Sequence, residues 1–201
     1  MRIGVYGGSF DPVHIGHLLL AETARSEQNL DRVDFVPLGV PPHLKDLRTS
    51  GETRIAMLSA AVASYPEFGI SRFEVDSPRV SFTVDTLRHY REVYPQDDLF
   101  LILSSETFND LPNWRDPDVI CELASIIVAC RAGYPEPDFD AARSFVSEER
   151  LRAFREQTVS MPLIEVSSSA IRARVASKQS VRFLTPDAVV DFIESNGLYQ
   201  R

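Results

Sequence analysis

The segment RIGVYGGSFDPVHIGH at residues 2–17 constrains the fold of this chain more than any other stretch. A short apolar run, RIGVY at 2–6, meets the turn-forming GGSFDP, which reads as a strand ending in a turn. Residues 15–28, IGHLLLAETARSEQ, have the apolar spacing of a helix, and RVDFVPL at 32–38 reads as a second strand. Strand, helix and strand in so short a span form a βαβ unit. That implies parallel strands joined by a right-handed crossover.

The alternation continues along the chain. A helix is predicted at about 52–64, with Ile55, Met57, Leu58 and Val62 as its apolar positions. A strand at 68–75 and a helix at 82–93 with Ser81 as N-cap follow. LFLIL at 99–103 and SIIVAC at 125–130 read as buried strands, and 138–156 as a polar helix. MPLIEV at 161–166 is the last predicted strand, after which SSSAIRARV opens a helix. In the final helix Pro186 is expected at the first position behind a Thr185 cap, with Gly197 at the end. The pattern predicts an α/β fold with a Rossmann-like, doubly wound parallel sheet. With 201 residues, no repeat and no linker, residues 1–201 read as a single domain, and the Pro-rich 133–140 as a loop.

Composition narrows the partners. At 44% hydrophobic and 25% charged, the chain is unlike a disordered tail, a collagen or a coiled coil. A formal net charge of −8 argues against a nucleic-acid binder, because polyanion affinity rests on clustered Lys and Arg. Any phosphate must therefore be held locally. Gly4, Gly7, Gly8 and Gly16, and His14, His17 and His43, bunch near the start. In an open parallel sheet ligands bind beyond the carboxyl ends of the strands, where the GGSFDPVHIGH segment falls. Gly7 and Gly8 remove side chains where backbone turns or approaches a ligand, although neither a G-x-G-x-x-G fingerprint nor a P-loop is present. With His14 in the first helical turn, both imidazoles could face one ligand, and a helix N-terminus attracts phosphate. A metal pair or two structural histidines is the other reading. The spacing suits a metal pair poorly, and no metal ligand is assigned. Cys121 and Cys130 adjoin apolar runs and read as thiols rather than a disulfide, which suits a reducing, cytoplasmic setting. No apolar run reaches the roughly 20 residues that span a bilayer, and the N-terminus does not resemble a signal peptide, so no membrane partner is expected.

GGSFDPVHIGH closely resembles the G-x-F-D-P-x-H-x-G-H signature of the nucleotidyltransferase superfamily. Class I aminoacyl-tRNA synthetases share the H-x-G-H element, but a chain this short has no room for their tRNA-binding part. Further segments resemble bacterial nicotinate-nucleotide adenylyltransferases. PPHLK at 41–45 is similar to their P-P-H-K element and precedes a helix with Arg54 and Met57. SFTVDTL at 81–87 resembles S-Y-T-V-D-T-L, LPNW at 111–114 matches L-P-x-W, and VSSSAIR at 166–172 resembles I-S-S-T-x-I-R. FIESNGLY is similar to the family's ending, so the resemblance runs from residue 2 to about 199.

The resemblance implies transfer of AMP from ATP to nicotinate mononucleotide, a step in making NAD. It implies ATP contacts at Gly7, Gly8, Ser9, Phe10, His14, His17, Ser104, Glu106, Ser168, Ser169 and Arg172. Of these, His14, His17 and Arg172, together with Lys45, would carry catalysis. The acceptor would meet Asp11, His43, Lys45, Thr83 and Trp114, with Trp114 stacked on the pyridine and Thr83 receiving its carboxylate. Mg²⁺ would bridge phosphate oxygens with few protein ligands. The Pro-rich segment 39–50 is a candidate lid by its composition. One element departs from the pattern. Where the family has G-x-D after the fourth strand, this chain has Ser104-Ser105-Glu106, which adds a Cβ and hydroxyl near adenosine and moves the ribose-binding charge out by a methylene. The competing readings are a relative with another acceptor, nicotinamide mononucleotide above all, and a nucleotide-binding regulator without turnover. A homo-oligomer stays open, and His89 is assigned no function.

Overall fold

β1 (Arg2–Gly8) lies at the middle of the sheet in the computed structural model, which describes residues 1–41, 47–131 and 133–200. Among the described residues, β2 (Arg32–Pro37), β3 (Phe68–Ile70), β4 (Asp98–Ser104), β5 (Ser125–Arg131) and β6 (Val159–Met161) complete a six-stranded sheet of order β3-β2-β1-β4-β5-β6. Every pairing is parallel. The strand order reverses between β1 and β4, the switch point at which doubly wound sheets bind ligands.

Parallel strands covered on both faces need apolar residues on both, and the sequence supplies them in alternation. Tyr6, Phe35, Ile102 and Ile127 point to one side. There they bury α1 (Ile15–Glu27), α2 (Gly51–Val62) and α8 (Asp187–Ser195) through Leu20, Met57 and Val189. Ile3, Val5, Leu101 and Ile126 point to the other, against α3 (Thr83–Val93), α4 (Ser105–Asn109), α5 (Pro117–Leu123) and α6 (Glu148–Glu156). α7 (Ser168–Ala176) closes a small third cluster through Ile171.

Several boundaries differ from the sequence expectation. The predicted strand 68–75 is only β3, because Ser71 donates the last ladder bond to the Phe35 carbonyl and Arg72 then turns back, paired with Asp76 and Glu52. The strand expected at 161–166 is β6, which ends before Pro162, a residue with no N–H for the ladder. The helix expected at 138–156 is a 3-10 turn at Phe139–Ser144 and a separate α6, whose start is capped by the Ser147 hydroxyl accepting from the Arg150 N–H. Ser81 does not cap α3. Its N–H goes to the Val40 carbonyl, and the cap position is Phe82, without a side-chain bond among the described residues. Thr185 does not cap α8 either, since its hydroxyl is buried on the Val13 carbonyl at 2.8 Å. Gly197, at φ +59°, ends α8 as expected and lets the Leu198 N–H reach the Ile193 carbonyl. Cys121 and Cys130 are free thiols, and burial pushes the Cys121 thiol up to about 12.

Candidate active site

The crevice is made by two ladders that part. β1 pairs with β2 as far as Gly8 and Pro37, but its pairing with β4 stops at Val5 and Leu101. Beyond that point the carboxyl ends of β1 and β4 diverge, and Gly7 is exposed at the middle of the sheet. A Cβ on Gly7 would project into open space, whereas one on Gly8 would lie 2.7 Å from the Phe10 ring. Gly8 is thus required by packing, and Gly7 faces the crevice.

Phe10 is fully buried and makes edge contacts with Tyr6, Phe35 and His17 at 5.5, 5.5 and 5.0 Å between ring centroids. Its backbone holds φ +49°, a left-handed conformation stabilised by this packing. The Phe10 side chain therefore supports the turn from beneath and has no exposed surface for ATP, which corrects the expectation. The Ser9 carbonyl accepts from Arg54 at 3.0 Å. Arg54 also donates to the Leu38 carbonyl at 2.6 Å and so ties the exits of β1 and β2 together.

His14 is the N-cap of α1, one position before the first turn, and His17 lies in that turn. The rings stack at 3.5 Å with 16° between planes. Each caps the other: the His14 N–H donates to His17 Nδ1 at 3.2 Å, and the His17 N–H donates to His14 Nδ1 at 3.3 Å. An Nδ1 that accepts a bond carries no proton, so a neutral ring holds its proton on Nε2. Burial pushes the His14 pKa down to about 4, helped by the Arg131 charge, and burial with the neighbouring His14 and Arg131 holds His17 well below its ordinary value. The pair is neutral at physiological pH and presents two Nε2–H donors in fixed tautomers. The helix end is less open than expected, because the Ile15 N–H is taken by the Leu184 carbonyl and the His17 N–H by His14.

Asp11 is buried, and its carboxylate accepts from Tyr199 Oη at 2.6 Å, Thr49 Oγ1 at 2.8 Å and the Arg48 N–H at 2.6 Å. It is engaged by the chain itself rather than presented to an acceptor. Arg172 donates to the Asp11 carbonyl at 2.7 Å, and the Ser168 hydroxyl to the Pro12 carbonyl at 2.8 Å. α7 is thereby docked on the turn after β1. Ser168 spends its one donor on this docking, while the exposed Ser169 hydroxyl pairs with Ser167. Arg174 bonds the Ser180 carbonyl, away from this group.

Across the crevice, Ser104 ends β4 and caps α4 by accepting from the Thr107 N–H. Glu106 forms a 2.7 Å ion pair with Arg131 at the carboxyl end of β5. Arg131 also stacks on Tyr134 at 3.8 Å, and its Nε is buried with no hydrogen-bond partner among the described residues. Sequence reasoning missed this arginine. Its charge lies across the crevice from both histidines and helps hold them neutral. The only available signal was its place at the end of a buried strand.

Thr83 is the first residue of α3, and partly buried Trp114 packs against the same core as Phe82. Both are on the α3–α5 side of the sheet, opposite the α1 side that carries the histidines. Trp114 Nε1 donates to Asp110 at 3.2 Å, which fixes the ring edge. His43 and Lys45, within the 42–46 stretch of the proposed lid, lie outside the described residues.

The histidine pair sets a pH dependence of stability. Both rings hold protons less tightly folded than unfolded, where the ordinary value of about 6.5 applies. Unfolding therefore takes up protons between pH 6.5 and about 4, and stability is lost as pH falls through that window. Urea midpoints of the protein should drop from pH 7 to pH 5, and His14→Asn should shrink that drop. An identical drop in both proteins would show that the imidazole is not held neutral.

A model of the cytidylyltransferase-like family matches residues 5–174. A protein of Thermus thermophilus is 40% identical over 202 residues, covering 100% of both chains. One of Rubrobacter xylanophilus is 37% identical over 203 residues, covering 100% of this chain and 92% of its own. Both carry the description "Probable nicotinate-nucleotide adenylyltransferase". Among solved structures, Plasmodium falciparum nicotinic acid mononucleotide adenylyltransferase complexed with NaAD superposes with a TM-score of 0.75 at 17% identity, covering 99% of this chain and 97% of that one, a likeness of fold.

Proposed function

The chain belongs to the cytidylyltransferase-like family and, within it, to the nicotinate-nucleotide adenylyltransferases, and from that premise we propose how its own residues act. It transfers AMP from ATP to nicotinate mononucleotide, giving nicotinate adenine dinucleotide and pyrophosphate, in NAD biosynthesis. The 5′-phosphate oxygen of the acceptor attacks the α-phosphorus in line, and pyrophosphate leaves from the opposite side. No covalent nucleophile is needed, so the protein supplies position and charge stabilisation.

The mutually capped histidines carry this reading. Two neutral rings with fixed Nε2–H donors suit the α-phosphate and the oxygens beside it, where negative charge shifts during transfer. They need no proton exchange to act. Positive charge comes from Arg172, which has guanidinium donors beyond the one on Asp11, and from Arg131, once Glu106 turns to the ribose. Exposed Gly7 leaves room for the nucleotide at the switch point. Ser169 and the start of α7 would meet the outer phosphates. His43 and Lys45 would act on the phosphates from their loop.

On the acceptor side, Trp114 would stack on the pyridine, and the first N–H groups of α3 at Thr83 would receive its carboxylate. The missing side-chain cap at Phe82 supports this, because those N–H groups keep their donors for a ligand. Mg²⁺ would arrive with ATP as part of the substrate. Among the described residues no cluster of three or more His, Cys, Asp or Glu could hold a metal ion. The free thiols support a reducing, cytoplasmic setting.

Pyrophosphate release with Mg-ATP and either nicotinate or nicotinamide mononucleotide tests the reading. kcat/KM should favour the nicotinate form. Equal or better use of the amide would overturn the role given to Thr83. Nucleotide binding without pyrophosphate from either acceptor would favour the regulator.

A further inference from the structure

Asp11 gathers segments that are far apart in the sequence. Its carboxylate binds Arg48 and Thr49, which follow the 42–46 segment, and Tyr199 beyond α8, while its carbonyl holds Arg172 of α7. Tyr199 is turned inward through a left-handed backbone at φ +60°, and its buried hydroxyl also lies 3.8 Å from Met57 Sδ. Burial raises the phenol's pKa, so it remains a donor. Two residues after Asp11, the Val13 carbonyl is held by Thr185, and His14 follows directly.

We infer that Tyr199 is a positioning residue for adenylyl transfer, acting through Asp11 on the turn that places His14 and Arg172. This rests on the roles given above to those two residues. The carboxylate has one geometry in which it accepts from Tyr199, Thr49 and Arg48 together. That geometry fixes the peptide whose carbonyl orients the Arg172 guanidinium. Removing the hydroxyl leaves the ring and its packing in place but lets the Asp11 carboxylate rotate. The turn then loses its aim at the α-phosphate.

The test is Tyr199→Phe, compared with Tyr90→Phe. Tyr90 also donates a buried hydroxyl to a carboxylate, Asp34 at 3.1 Å, but sits in the third turn of α3, away from the crevice. Both variants should lose comparable stability. Only Tyr199→Phe should lower kcat, on the order of ten- to a hundredfold, with KM for nicotinate mononucleotide within about twofold, measured well below both unfolding midpoints. If the two variants keep the same kcat, Tyr199 is merely structural and the inference is overturned. If Tyr199→Phe does not fold, Thr49→Val removes a second donor from the same Asp11 oxygen. It should give the same split, and wild-type kinetics there would overturn the inference equally. A protein that fails with wild-type residues, or survives loss of His17, would instead sink the mechanism on which this rests.

Discussion

His17→Ala should lower kcat for pyrophosphate release on the order of 10²- to 10³-fold while leaving the Kd for ATP within about threefold. The expectation follows from what the ring does. Its Nε2–H is placed by the His14 N–H on Nδ1 and by the Phe10 edge at 5.0 Å, so it is oriented before substrate arrives. A donor fixed in advance gains most where charge develops, and removing it costs the transition state more than the bound nucleotide. Ala is a strong helix former, so α1 should persist and circular dichroism should match the parent. Equilibrium binding and single-turnover release, measured on the same preparation, separate the two effects. A kcat within threefold of the parent, or equal losses in kcat and ATP affinity, would remove His17 from the chemistry.

Arg54→Met should cost about 3–5 kcal/mol of folding stability. Arg54 is only 2% exposed, yet it keeps a charged group inside the protein. Burial pulls its pKa down, while Asp11, Tyr199 and Glu74 hold it up. Methionine preserves much of the volume. It leaves the Ser9 and Leu38 carbonyls without the Arg54 donors, and removes a cation that favours the charged forms of buried Asp11 and Glu74. Burial also keeps the Glu74 carboxyl above its usual range, with Thr86 and Gly39 bonds opposing this, so loss of Arg54 should push it further up. Urea unfolding gives the measurement. A midpoint within the equivalent of about 1 kcal/mol of the parent, at unchanged slope, would show that the two carbonyls find other partners.

The core of this architecture was written in local sequence. β1, the Gly7-Gly8 turn and α1 could be read because period and turn chemistry act over neighbouring residues. Alternation of strands and helices then pointed to a parallel, doubly wound sheet, while the order of its strands is set by long-range pairing. What escaped was long-range or atypical. Histidine is not among the usual N-cap residues, so the reciprocal caps of His14 and His17 had no sequence signature. Asp11 looked like a ligand contact because its partner Tyr199 lies 188 positions away. The pairing of Glu106 with Arg131 had no local signature, because the two lie 25 positions apart. α4 and α5 are too short to show a period, and Pro162, which lacks an N–H, ends β6.

The parting of the two ladders beyond Val5 has a further consequence. The crevice is not hollowed out of the apolar interior. It arises from strand pairing that stops, so its floor is backbone, and its width is inherited from topology rather than from the size of any core side chain. The rim residues tie that floor to its flanks: Ser104 caps α4, Glu106 pairs with Arg131, and Trp114 packs on the core. The depth of the crevice is thus set where the β1–β4 ladder ends, and a change of core side chain would leave it in place.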